Sequence, residues 1–148
     1  MRILHTSDWH LGKTLCEYSL LEDQAAVLDQ LIAYLEEFRV DALLIAGDLY
    51  DRSVPPAAAI ELFDRTVDRI ANQMGIPLLL IAGNHDGPER LQFASSLLDK
   101  QGLSIAGRAT HPMRRVTLTG EWGPVKVHLL PYVEAAESRR LLDRPELQ

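Results

Sequence analysis
Apolar positions change their period several times along this chain. Residues 2–7 carry Ile3 and Leu4 in a short run that predicts a strand. Ser19-Leu20-Leu21-Glu22 fits a capping box, with a hydroxyl at the N-cap and a glutamate three residues on. Leu21, Ala25, Leu28, Ile32 and Leu35 then recur at helical spacing and give one apolar face. Residues 41–46 form a short apolar run ending at Gly47, as in a strand buried on both faces. Pro55 and Pro56 suit a helix start, where the missing N–H has no partner anyway. Ile60, Phe63, Val67, Ile70 and Met74 step by three and four until Gly75 ends the helix and Pro77 prevents its resumption. Residues 78–82 predict a third buried strand, ending at Gly83. Pro88 opens another helix with Leu91, Ala94, Leu97 and Leu98 inward, closed by Gly102. Residues 103–106, 113–119 and 125–130 read as short strands, with a turn at Gly120-Glu121-Trp122-Gly123, and residues 134–142 read as a helix for which the sequence supplies no partner.

Strand–helix–strand–helix–strand predicts an α/β fold with a parallel sheet and right-handed crossovers. In such sheets functional loops gather beyond the carboxyl ends of the strands. Here the first strand ends in Ser7-Asp8-Trp9-His10, the second in Gly47-Asp48-Leu49-Tyr50-Asp51-Arg52, and the third in Gly83-Asn84-His85-Asp86. Apolar periodicity requires no acid or imidazole at any of these places. Taken singly, Asp-x-His is more often a cap or surface pair, and Gly-Asp or Gly-Asn after a strand is ordinary turn chemistry. Parallel topology brings all three to one rim, and the convergence is the signal. Gly47 and Gly83 allow a sharp exit from a buried strand. Asp8 and His10, one residue apart, point the same way in extended backbone. Carboxylate, amide oxygen and imidazole together suit Mn²⁺, Fe²⁺ or Zn²⁺ better than Mg²⁺ or Ca²⁺. A central carboxylate such as Asp48 is placed to bridge two ions about 3.5–4 Å apart.

Composition narrows the classes. Apolar residues are 47% and charged residues 24% of the chain, which excludes disorder and coiled coil. No apolar run approaches the roughly twenty residues of a membrane span, no signal peptide is visible, and the single cysteine, Cys16, permits no internal disulfide. A cytoplasmic protein is expected. The net charge of −6 argues against a simple basic nucleic-acid binder. Residues 1–85 hold 13 acidic against 6 basic side chains, so the acidity is concentrated where the candidate ligands lie. That is either a solvated surface or a set of carboxylates whose potential bound cations would invert.

The motifs resemble those of the calcineurin-like metallophosphoesterases, and within them the SbcD-type nuclease subunits. His5-Thr6-Ser7-Asp8-Trp9-His10-Leu11-Gly12 is similar to that type's first motif, Gly47-Asp48-Leu49-Tyr50-Asp51 to the second and Gly83-Asn84-His85-Asp86 to the third. Leu130-Pro131-Tyr132 is similar to a later strand-end segment. The resemblance implies an α/β/β/α sandwich with mixed sheets, and a two-metal, manganese-dependent phosphodiesterase acting on DNA ends in double-strand break repair and recombination. Asp8 and His10 would hold one ion, Asn84 the other, and Asp48 would bridge them. His85 would meet the scissile phosphate and serve the leaving oxygen, with Asp51 as the acid that pairs with it. Lys13 and Arg52 flank the motifs as phosphate contacts. An SbcC-type ATPase partner is implied, and a homodimer through the helices after the second and third motifs, where Ile60, Phe63, Leu91 and Leu97 are core or interface positions.

The family's Gly-His and Gly-His-x-His motifs are not found in residues 1–148, so a truncated domain is expected: the N-terminal part of the nuclease domain, with an incomplete metal shell. His5, His111 and His128 stand in no Gly-His setting and read as structural or surface groups. Cys16 reads as a buried or half-buried inert thiol, Trp9 as packing beside the site, and Trp122 as a turn residue. Arg108, Arg114 and Arg115 read as a solvated strand end at least as readily as a phosphate contact. Two other functions remain open at this point: a phosphatase acting on phosphoproteins or small phosphoesters, and an inactive fragment that only dimerises or binds.

Overall fold
The computed structural model describes residues 1–141. β1 (Ile3–Thr6) leads into a small hairpin of β2 (Thr14–Leu15) and β3 (Tyr18–Ser19), and α1 (Leu21–Glu37) carries the chain to β4 (Ala42–Ala46). α2 (Ala57–Val67) runs on into a π-helical turn, Asp68–Gln73, before β5 (Leu78–Ile81). Short helices α3 (Pro88–Gln92) and α4 (Ser95–Leu98) precede β6 (Leu103–Ala106). An antiparallel hairpin, β7 (Arg114–Gly120) with β8 (Gly123–Leu129), is followed by α5 (Ala135–Leu141).

The uninterrupted apolar runs become the middle of the main sheet. Its order is β1-β4-β5-β6, all parallel, with Leu4 opposite Leu43, Leu43 opposite Leu78 and Leu78 opposite Leu103. Alternation then sorts the side chains. Leu43, Ile45, Leu78, Leu80, Leu103 and Ile105 pack with Leu28, Ile32 and Leu35 of α1 and with Leu62 and Ile70 after β4. Ala42, Leu79 and Ala106 face the other way and pack under Leu118 and Leu129 of the hairpin. Each fully buried leucine contributes about 1.5–3 kcal/mol of transfer free energy, so both faces are held by apolar contact. Helices, parallel sheet and antiparallel hairpin make three successive layers of the expected sandwich. No helix among the described residues is long and apolar enough to cross a membrane.

Four local expectations change. The N-cap of α1 is Leu20, with no side-chain cap. Ser19 is already paired with Thr14 in the β2–β3 ladder, and only its Oγ reaches Leu21 N–H, at 3.4 Å. On α2 the buried stripe is Ala59, Leu62 and Thr66. Thr66 is tolerated there because its hydroxyl donates to Leu62 O at 2.8 Å, whereas Ile60 is 45% exposed. The helix opening at Pro88 breaks at Ala94, whose φ is +56°. Gln92 spans the break: its amide donates to Ser95 Oγ at 2.6 Å and its carbonyl accepts Gly107 N–H at 2.8 Å. Leu97 is therefore exposed, whereas Leu91 belongs to the core and Leu98 packs half-buried against it. Cys16 is exposed, at the left-handed tip of the β2–β3 hairpin, because a two-residue turn leaves no room to bury it. The expected tail helix is seen over residues 135–141, and Leu142 lies outside the described residues.

His5 is on the edge strand and exposed, as are His111 and His128. Trp122 is 89% exposed at the hairpin turn. Arg114 donates to Ile105 O and pairs with Asp99, and Arg108 pairs with Glu89, so these cations brace the end of β6.

Candidate metal centre
The loops leaving β1, β4 and β5 meet at one end of the sheet. The main chain continues the β1–β4 pairing past the strand ends. Asp8, His10 and Leu11 N–H donate to the carbonyls of Gly47, Asp48 and Leu49 at 3.1, 2.9 and 2.9 Å. Asp51 N–H returns to Leu11 O at 3.2 Å. Two adjacent peptide ladders are thereby kept in register while their side chains turn toward each other.

That turn requires unusual backbone. Asp8, His10 and Asp48 all have positive φ, at 57°, 44° and 49°. For residues with a Cβ, the left-handed region costs roughly 1–2 kcal/mol each, and such strain collects at functional sites. Gly83 is required for a different reason. A Cβ there would stand 2.1 Å from Asp48 Oδ1, so the β5 exit presses directly on that carboxylate.

The donor atoms of Asp8, His10 and Asp48 all lie within 4.8 Å of one another. His10 Nε2 is 3.8 Å from Asp8 Oδ1 and 3.9 Å from Asp48 Oδ2, too far for hydrogen bonds. Two donors about 2.1 Å from a shared ion stand up to about 4.2 Å apart, so the spacing and the donor types fit a transition-metal ion. Asp48 is 9% exposed and central: its Oδ1 accepts His85 N–H at 2.9 Å while Oδ2 faces His10. Ser7 Oγ donates to the Asp8 carboxylate.

His85 and Asp51 form the second half of the site. Within it the donors of His10, Asp51 and His85 also converge. His85 Nδ1 is 2.9 Å from the main-chain carbonyl of Asp51. A carbonyl only accepts, so Nδ1 carries the hydrogen and Nε2 is the free nitrogen of the neutral ring. The carboxylate of Asp51 stands within 4.8 Å of a His85 ring nitrogen but lies closer to two other groups. It lies 3.6 Å from His10 Nδ1, a buried atom with no hydrogen bond, and 3.8 Å from Lys13 Nζ. The expected acid–imidazole contact between Asp51 and His85 is thus made by the peptide. The His10 and His85 rings meet edge to face at 4.8 Å. Asn84 is exposed on the same turn as His85, and Arg52 is exposed beside Asp51.

Two residues not singled out from the sequence hold this arrangement. Asp86, 5% exposed, accepts three main-chain N–H groups, from Leu49, Tyr50 and Gly83. Gln24 of α1 binds the backbone of Trp9, His10 and Gly12. A signal existed for Gln24, since it is a polar residue on the apolar stripe between Leu21 and Leu28. Trp9 sits beside the site as expected, donating to Thr6 Oγ1 at 3.1 Å and meeting the Phe63 ring edge-on at 6.4 Å. Burial, and then the charges of Asp86 and Asp64, push the Tyr50 phenol well above its ordinary value, which keeps it neutral.

A family model for calcineurin-like phosphoesterases matches residues 1–131. The chain is also 40% identical over 143 residues to the SbcD component of the SbcCD nuclease of Staphylococcus saprophyticus. That alignment covers 97% of this chain and 37% of the relative, so the chain spans little more than a third of the relative's length. With the family's three loop motifs gathered on one sheet end, the chain belongs to the calcineurin-like phosphoesterase family.

Proposed function
We propose that residues 1–148 form the N-terminal part of the nuclease domain of an SbcD-type DNA nuclease subunit that hydrolyses phosphodiesters with two divalent ions, Mn²⁺ foremost. The observation that carries this reading is the convergence of Asp8, His10 and Asp48 on one point from two strand ends. Asp8, His10 and Asp48 would hold one ion; Asp48 and Asn84 would hold the other. Bound there, the ions would polarise the phosphoryl group and activate water. His85 is exposed and would serve the leaving oxygen as the proton donor when charged. Asp51 keeps the His85 ring oriented through its carbonyl, and Lys13 and Arg52 flank the site as contacts for phosphate. Among the described residues the second ion has only two ligands, so its affinity is low and turnover by this chain is slow.

The proposed setting is cytoplasmic DNA repair and recombination, with DNA ends as substrate and an SbcC-type ATPase as partner. Homodimerisation would use the faces of α2 and α3. A groove of about 570 Å³ there is lined by Ile60, Phe63, Val67, Leu91 and Phe93.

Calorimetric titration with Mn²⁺, and assays on linear DNA, a small phosphodiester and a small phosphomonoester, test the reading. Asp48→Asn should abolish metal uptake. Phosphomonoester cleavage without diester or DNA cleavage would replace the nuclease by a phosphatase. Absence of Mn²⁺ binding would leave a chain that only dimerises or binds.

A further inference from the structure
We propose that Gln24 is a positioning residue for metal ligation by His10, an inference that rests on the metal reading above. The loop from Asp8 to Gly12 contains three left-handed residues in five, with φ of 57° at Asp8, 44° at His10 and 84° at Gly12. Such backbone persists only where its surroundings over-determine it. One side of the loop is tied to the β4 exit by main-chain bonds. On the other side Lys13 N–H donates to His10 O at 3.1 Å, and one side chain reaches three points of the loop backbone. Gln24 Nε2 donates to Trp9 O at 3.1 Å and to His10 O at 2.7 Å, and Gln24 Oε1 accepts Gly12 N–H at 3.0 Å.

The carbonyls of Trp9 and His10 belong to the two peptide planes that flank the His10 Cα. Fixing both planes fixes φ and ψ of His10 and therefore the direction in which its ring leaves the chain. The third bond pins the next peptide, Leu11–Gly12. Two donors and one acceptor in one planar group are what this backbone demands, and an amide supplies them. Glutamate would set oxygen against two carbonyls; lysine and arginine have no acceptor for Gly12. The amide is carried by α1, whose Leu28, Ile32 and Leu35 are buried in the core, so the clamp stands on a rigid base.

Gln24→Met keeps the length and removes all three bonds. Gln24→Glu keeps the acceptor for Gly12 N–H. Ile32→Val, on the buried face of the same helix, controls for a general loss of stability. In the metal-free chain, NMR hydrogen exchange should show the Gly12 amide protected in the wild type and in Gln24→Glu, and at least tenfold less protected in Gln24→Met. Mn²⁺ affinity, read from the electron paramagnetic resonance of free Mn²⁺, should fall about 10–100-fold in both Gln24 variants and stay unchanged in Ile32→Val. An equal fall in Ile32→Val, or unchanged Gly12 exchange in Gln24→Met, overturns the role. Wild-type binding that survives both Gln24 substitutions overturns it while leaving the metal reading intact. A wild-type chain that takes up no Mn²⁺ overturns the metal reading and this role together.

Discussion

Asp86 Oδ1 accepts the main-chain N–H of Tyr50 at 2.9 Å, from a residue 36 positions away. The other oxygen of the same carboxylate accepts Leu49 N–H at 3.1 Å and Gly83 N–H at 2.9 Å. One buried side chain thereby joins the loop that carries Asp48 to the loop that carries Asn84 and His85.

Removing that carboxylate leaves three N–H groups without acceptors beneath the site. Each unsatisfied buried donor costs about 1–3 kcal/mol. Asp86→Ala should therefore lose about 3 kcal/mol or more in urea denaturation, and Asp86→Asn, which keeps one accepting oxygen, about half as much. A loss below about 1 kcal/mol for the alanine variant would show that the loops are held by other contacts.

Gly83 and Gly75 separate crowding from backbone strain. At Gly83 an added methyl meets Asp48 Oδ1 and N at 2.1 and 2.2 Å, so the Asp48 loop must move. At Gly75 nothing lies within 4 Å, but φ is +68°. Gly75→Ala should cost about 1 kcal/mol and leave Mn²⁺ binding as in the wild type. Gly83→Ala should cost more than about 3 kcal/mol and abolish Mn²⁺ binding. Thermal melts with parallel calorimetric titration read both, and equal behaviour of the two variants would refute the distinction.

The middle of the main sheet was legible because β4 and β5 are buried on both faces and read as unbroken apolar runs ended by Gly47 and Gly83. The site was legible as far as its residues stand at strand ends in short motifs. What the sequence hid depends on partners distant in the chain. Ser19 has the chemistry of a cap, but its backbone is claimed by the hairpin. Ile60 has helical spacing, yet Ala59 is the residue that faces the core, because only a small side chain fits against the loop at Gly12. The Asp51 carboxylate lies closest to His10 and Lys13, and it is the Asp51 main-chain carbonyl that meets His85 Nδ1. No periodicity carries that information.

The π-helical turn after α2 carries a local electrostatic signature. Asn72 Nδ2 and Gln73 Nε2 donate to the two oxygens of Asp68, each at 2.9 Å. The Asn72 bond, followed by the Gln73 bond, holds the Asp68 carboxyl below its ordinary value. Since the folded-state value is the lower one, these bonds favour the folded chain above the unfolded-state value. The contribution is lost as pH falls through the folded-state value. Replacing both donors, Asn72→Ala with Gln73→Ala, should move the Asp68 titration upward toward the ordinary carboxylate range in carbon-13 NMR. An unmoved titration would assign the depression to another cause.

The α2 face offers the sharpest separation of core from contact surface. Phe63 is half-buried and meets Trp9 and Tyr50 edge-on at 6.4 and 6.0 Å, so it belongs to the wall behind the metal loops. Ile60, one turn earlier, is 45% exposed, and Phe93 on the opposite lip of the groove is 79% exposed. Burying such side chains between two copies is worth about 25 cal/mol per Å² of apolar surface. Exposing a charge in their place at a monomer surface has little effect on folding. On the proposed homodimer contact, Ile60→Glu should therefore give monomers in light scattering with a change in unfolding free energy within about 0.5 kcal/mol. Phe63→Ala should cost about 2–3 kcal/mol because it opens a cavity between Trp9 and Tyr50. A dimer that persists in Ile60→Glu would exclude this face from the contact and place the pairing surface elsewhere on the chain.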